Sequence, residues 1–258
     1  MKRSRADPHD EEHEPETTRE QLLIAAERLF ARDGTTGVSL RAIAREAGQR
    51  NTGAVHYYFG SREGVIEAIF EFRAAGIDKA RTEALDAIPS HLRGSERVRA
   101  VVAAIVVPFA EQAEASSMES HYPRFVAQLI QSEDEIAHRI WRARFSGSIE
   151  SAYARLAEAL PQVPAAVLQH RFATLFRLAV YATADLDRGF ERSRPPAGHD
   201  AQRRLQIENV IDMLAAAVAA PLSEALRDAA TKGSLARPTR PGSLSRVFRR
   251  PNGNSGES

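Results

Sequence analysis

Residues 50–62 hold a concentration of groups that duplex DNA can recognise: Arg50, Asn51, Thr52, His56, Tyr57, Tyr58 and Arg62. A guanidinium matches the O6/N7 edge of guanine and a carboxamide the N6/N7 edge of adenine, so Arg50 and Asn51 carry suitable groups for base readout. The same two residues equally suit a polar turn. His56 and Tyr57 combine a hydrogen-bonding group with a ring that can lie against thymine methyls or sugars, and helix packing is the competing use. Tyr58 is expected to pack, with its hydroxyl reaching a phosphate. Thr52 and Ser39 offer hydroxyls to phosphate or serve as helix caps, and Gly53 faces outward beside Thr52. Arg62 opens a helix, where its cation and the helix terminus can both meet phosphate.

These groups need a scaffold, and residues 39–59, SLRAIAREAGQRNTGAVHYYF, supply one. Leu40, Ile43, Ala44 and Ala47 follow the i, i+3, i+4, i+7 spacing of a buried helix face. Ser39 stands at the N-cap position and Gly48 where the helix must stop. After the turn Gln49-Arg50-Asn51, Val55 and Phe59 face inward one turn apart, leaving Thr52, Gly53, His56 and Tyr57 outside. A helix-turn-helix has this layout, with one helix braced across the backbone and the other in the major groove. From Arg41 to Arg62 four arginines face one glutamate, a local balance of +3. Because phosphate attraction acts over about one Debye length, roughly 8–10 Å, this local excess outweighs the near-neutral whole.

The stretch resembles the DNA-binding domain of the TetR/AcrR family of bacterial transcriptional regulators. The resemblance covers roughly residues 17–75. It includes the capping box Thr18-Arg-Glu-Gln21, the face Leu22, Ala26, Leu29 and Phe30, the stop at Asp33-Gly34, and the run AAERLFARDG at 25–34. Ser39 opening helix two, the aromatic run Val55-His56-Tyr57-Tyr58-Phe59 and Arg62 in GSREGVIEAIF complete it. Compared with the common family pattern, one extra residue lies between Gly48 and Val55, as in a subgroup with a longer turn. The resemblance implies a phosphate-contacting cation at Arg62. It also implies an effector pocket among the middle helices, connected to helix four, and a homodimer joined through a four-helix bundle built from the last two long helices of each subunit.

Composition is that of an ordinary globular protein: 258 residues, 43% hydrophobic and 27% charged, with net charge +1. The absence of cysteine excludes disulfides, thiolate metal sites and cysteine nucleophiles. His9-Asp-Glu-Glu-His13 superficially resembles a zinc-protease motif, but Asp follows His9 and prolines bracket the segment, so neither metal nor catalysis is expected there. Glu133-Asp134-Glu135 reads better as a helix start than as an acid/base pair. No phosphate-cradling glycine loop or nucleophile elbow is present, so no enzyme activity and no cofactor are expected. The uncharged runs 100–110 and 213–223 are too short to span a bilayer, and a cytoplasmic protein is the expectation.

The architecture expected is all-α. Residues 1–16 read as a disordered arm, 17–76 as the helix-turn-helix domain, 77–229 as a helical effector-binding and dimerisation domain, and 230–258 as a basic flexible tail. Helices are expected from Arg62 toward Ala87 and over about 95–116, kinked at Pro108, then 122–132, 134–160, 164–190 and 201–229. Leu168, Phe172, Leu175, Ala179, Ala182 and Leu186 form one apolar stripe, and Ile207, Val210, Ile211, Leu214 and Val218 another. Such stripes fill the chain's own core or a dimer interface over 164–190 and 201–229. Rings and polar groups between 90 and 190 nominate a pocket for a lipophilic ligand: Phe109, His121, Arg124, Phe125, Trp141, Phe145, Phe176 and Arg177. Core filling is the plain alternative for the rings. The reading is a homodimeric repressor released from a palindromic operator by a small lipophilic ligand. Its alternative is an architectural or partner-recruiting DNA-binding protein without an effector.

Overall fold

The computed structural model describes residues 14–51, 53–111, 120–132, 136, 139–140, 147–190 and 199–233. The His9–His13 segment, Thr52, Glu133–Glu135, Trp141, Phe145 and most of the basic tail lie outside the described residues. The described part is all-α. In chain order come α1 (Glu14–Asp33), α2 (Leu40–Glu46), α3 (Ala54–Phe59), α4 (Arg62–Asp86) and α5 (Gly94–Glu111). They are followed by α6 (Tyr122–Gln131), α7 (Gly147–Ala159), α8 (Ala165–Phe190), α9 (His199–Ala219) and α10 (Glu224–Thr231).

Local chemistry sets most boundaries. The Ser39 hydroxyl accepts from the Ala42 N–H at 3.2 Å, which caps α2 as expected. Gly48, at φ 69°, ends it. Gln49 N–H reaches back to the Ala44 carbonyl and Gly48 N–H to that of Arg45, a Schellman closure that an L side chain at position 48 would strain. α1 begins at Glu14, four residues before the capping box, so Thr18 lies inside it. Pro15 does not prevent this start, because first-turn N–H groups have no helical partner to lose. Pro108 lies inside α5 near its end, and the helix continues to Glu111. The long helix expected over 201–229 is two: α9 stops at Ala219, and α10 restarts from the Ser223 cap, bent away by 48°. Pro221 disfavours helical geometry at Ala220 and supplies no N–H of its own.

α1, α2 and α3 pack as a small unit against the front of α4. Behind it α5 touches α4, α7, α8 and α9, while α6 lies between α1 and α8. Both apolar stripes are largely internal. Leu168, Phe172, Leu175 and Ala179 are buried within this one chain, as are Ile207, Val210, Ile211, Leu214 and Val218. Among the described residues, the large apolar side chains left outside on α8 and α9 are Leu178, Leu205 and Met213. Among the described residues no single helix is long and apolar enough to cross a membrane.

Candidate nucleic-acid interface and the junction behind it

α3 is a six-residue helix anchored by one side chain and presenting two others. Val55 is fully buried, His56 is exposed, and Tyr57 is 83% exposed, an unusual position for a large ring. Tyr58 is half-buried and meets the Tyr57 ring edge-on at 5.1 Å between centroids. Phe59 is half-buried rather than wholly internal, with the Arg19 guanidinium 5.5 Å from its ring centroid.

In the turn, Arg50 and Asn51 are exposed. The Asn51 side-chain oxygen accepts from the Gly53 N–H at 2.9 Å, so turn chemistry already uses the acceptor that adenine readout needs. Gly53 is exposed at the head of α3, where it makes no side-chain cap. Arg41 and Arg45 are exposed on α2, beside the Ser39 cap. Arg62 is half-buried: one guanidinium nitrogen donates to the Thr35 carbonyl and another to Glu63, both at 3.4 Å. It therefore ties the α1–α2 loop to the start of α4. Glu63 is held below the usual carboxylate range, first by its own backbone N–H and then by Ser61.

The link from α3 to α4 is tight. Gly60 adopts φ 71°, and the Ser61 hydroxyl accepts from Gly64 N–H at 3.1 Å. A Cβ on Gly64 would stand 2.0 Å from the Phe59 carbonyl oxygen. Only glycine lets the last turn of α3 rest this closely on α4.

Behind the interface lies a buried polar junction. The Glu27 carboxylate on α1 receives a forked pair of hydrogen bonds from Arg73 on α4, at 2.8 and 3.2 Å. It also accepts from the His121 backbone N–H at 2.6 Å and the Ser120 hydroxyl at 3.5 Å, at the start of α6. Arg28 donates to the His121 ring at 3.4 Å. Three helices thus meet on one carboxylate. His121, nominated for the pocket, takes part in this junction.

Sequence reasoning missed Glu27 and Arg73. The available signal was a charge on an apolar stripe: Ile66, Phe70, Arg73, Ile77, Arg81 and Leu85 follow helical spacing along α4, and all are buried.

Of the other pocket nominees, Phe109 and Phe125 share an aromatic cluster with Phe30, Phe70 and Tyr122, centroids 5.4–6.1 Å apart. Phe176 is buried on α8, away from that cluster in sequence. Arg177 is half-buried and donates to Thr174 at 3.5 Å, while Arg124 on α6 is half-buried with its Nε enclosed. Among the described residues no cluster of three His, Asp or Glu could hold a metal.

Residues 22–69 match the bacterial regulatory proteins of the tetR family, and residues 103–220 match tetracyclin repressor-like C-terminal domains. The fold is similar to that of a putative TetR-family transcriptional regulator from Rhodococcus sp. (TM-score 0.50, 16% identity, covering 77% of this chain and 99% of that one). It is also similar to the TetR family transcriptional regulator PfmR from Thermus thermophilus (TM-score 0.50, 20% identity, covering 80% and 97%). No curated protein matches the chain.

Proposed function

Because this chain belongs to the TetR family of DNA-binding transcriptional regulators, a class of non-enzymatic proteins, we propose that it is a homodimeric repressor released from a palindromic operator by a small lipophilic ligand. The observation that carries the reading is the outward Tyr57 ring on a helix whose inner face is locked by Val55. An aromatic this exposed gains nothing for folding and suits a groove. His56 and Tyr57 read bases, with Arg50 adding a contact from the turn. Ser39, Thr52, Gly53, Tyr58 and Arg62, together with Arg41 and Arg45, hold the phosphates. Asn51 serves the turn first, and only its amide nitrogen remains to donate.

Dimerisation engages Leu178, Leu205 and Met213, the apolar residues that α8 and α9 leave outside. Two copies of α3 then sit about 34–36 Å apart, or a multiple of a helical turn, on a two-fold symmetric site. Ligand binding in the larger domain moves α6 and α4 together through the Glu27 junction and alters that spacing. Reciprocity requires the operator to weaken the ligand by the same factor.

Sedimentation of the protein on a duplex that it retards tests this. Two chains per duplex, reduced to none by hydrophobic small molecules, is the expected result. One chain per duplex, or binding indifferent to every ligand, rejects the dimeric and ligand-released parts respectively.

A further inference from the structure

Two arginines lie eight residues apart on the buried stripe of α4, about 12 Å along the helix, and their surroundings differ. Arg73 is paired with the Glu27 carboxylate through two hydrogen bonds. Arg81 is equally buried, at 4% exposure, but among the described residues no buried carboxylate faces it. Its Nη1 donates to the Ser148 hydroxyl at 3.1 Å and lies 3.9 Å from an oxygen of Asp78, which is 39% exposed. Ser148 in turn donates to Asp78. The Arg81 Nε is enclosed and has no acceptor among the described residues. Burial pushes the guanidinium down to about 10, with Asp78 and Tyr122 opposing, so it remains a cation at neutral pH.

A buried cation with an unused donor is costly unless something answers it. The side-on edge of a guanidinium, with Nε at one end, is shaped for a carboxylate. Buried Ile77 and Leu85 lie one turn before and one turn after Arg81 on the same face of α4, and the buried Tyr122, whose charge acts on Arg81, packs against the rings of Phe70 and Phe109. A single positive charge, partly met by Asp78, suits one negative charge better than the two of a phosphate monoester.

We propose that Arg81 anchors the carboxylate of a lipophilic monocarboxylate whose hydrocarbon part lies along the Tyr122 side of the larger domain. This rests on the reading of the chain as a ligand-released regulator and adds the chemical class of the ligand. Bound there, the carboxylate loads the helix that carries Arg73 and, at its other end, the Gly60–Gly64 support of α3.

The test uses full-length protein with octanoate and 1-octanol, which differ in the head group alone. Titration calorimetry and thermal shift should show octanoate binding at least about tenfold more tightly, the value expected for a charge-assisted contact. Arg81→Met should abolish the preference, and Arg81→Lys should reduce it without removing it. Equal binding of acid and alcohol overturns the proposal while leaving a lipophilic effector in place. Binding of neither overturns it too, and operator retardation measured on the same protein shows separately whether the regulator reading stands. If Arg81→Met does not fold, Arg81→Lys decides: an undiminished preference for octanoate means that the anchor lies elsewhere.

Discussion

Replacing Arg73 by methionine keeps much of the side-chain volume and removes the cation from the Glu27 junction. Among the described residues, Glu27, 2% exposed, would then be a buried carboxylate supported by the Ser120 hydroxyl and the His121 N–H. Breaking one partner of a buried ion pair costs about 3–5 kcal/mol, because the remaining charge loses its counter-ion without regaining water. At roughly 2–4 °C per kcal/mol for a chain of this size, the melting temperature should fall by roughly 6–20 °C. Glu27→Leu should cost a similar amount by stranding Arg73.

The double variant Glu27→Leu/Arg73→Met removes both charges and should recover most of the loss, retaining a deficit of about 1 kcal/mol from the unanswered His121 N–H. Urea denaturation of all four proteins, at one protein concentration because dimerisation would contribute to stability, closes the cycle. Single-variant losses below about 1 kcal/mol, or a double variant equal to the sum of the singles, would mean that Glu27 and Arg73 are not energetically coupled. The double variant also separates stability from communication. It should fold and bind operator but release it poorly on ligand addition, since α6 no longer shares a carboxylate with α1 and α4.

Tyr57→Ala should abolish sequence-specific retardation while changing unfolding free energy by no more than about 0.5 kcal/mol, as expected of an exposed position; a large stability loss would assign the ring to packing. Gly64→Ala forces a methyl into the 2.0 Å gap beside the Phe59 carbonyl, so α3 must shift. Operator affinity should drop at least tenfold in fluorescence anisotropy, with all predicted contact residues still present. Arg62→Ala should weaken binding to all sequences alike and lower the slope of log K against log salt by about one. A sequence-dependent loss would place Arg62 on a base. Acidification should weaken the start of α4: Glu63 has a depressed folded-state pKa, so its contribution is present above the unfolded value near 4.5 and fades as pH falls below it.

The parts legible in the sequence are those decided within a few residues. Ser39 and Gly48 mark the ends of α2 because capping and positive φ are local requirements, and both behave as their types demand. The outward Tyr57 follows from the position of Val55 on a short helix. Local rules failed where two acceptable signals competed. Thr18 makes a good capping box, but Pro15 fits a first turn equally well, and the helix starts earlier. Pro221 divides a segment whose apolar spacing reads as continuous.

Tertiary partners were harder still. The periodic stripes on α8 and α9 could equally face inward or toward a second copy, and they face inward. Which face is left over, Leu178, Leu205 and Met213, emerges only once α5 and α6 have been packed against the other side. The Glu27–Arg73 pair spans 46 positions, and nothing in either helix alone names its partner. Its trace was a charge at a core position.

Selection of bound duplexes from a random pool by the purified protein shows whether two copies of α3 read a symmetric site. Enrichment of an inverted repeat with half-sites about one helical turn, or a multiple of one, apart is predicted, and the enrichment should vanish for Tyr57→Ala. A pool that stays unenriched at moderate salt, or converges on a single unrepeated motif bound by one chain, would rule out paired groove docking by α3.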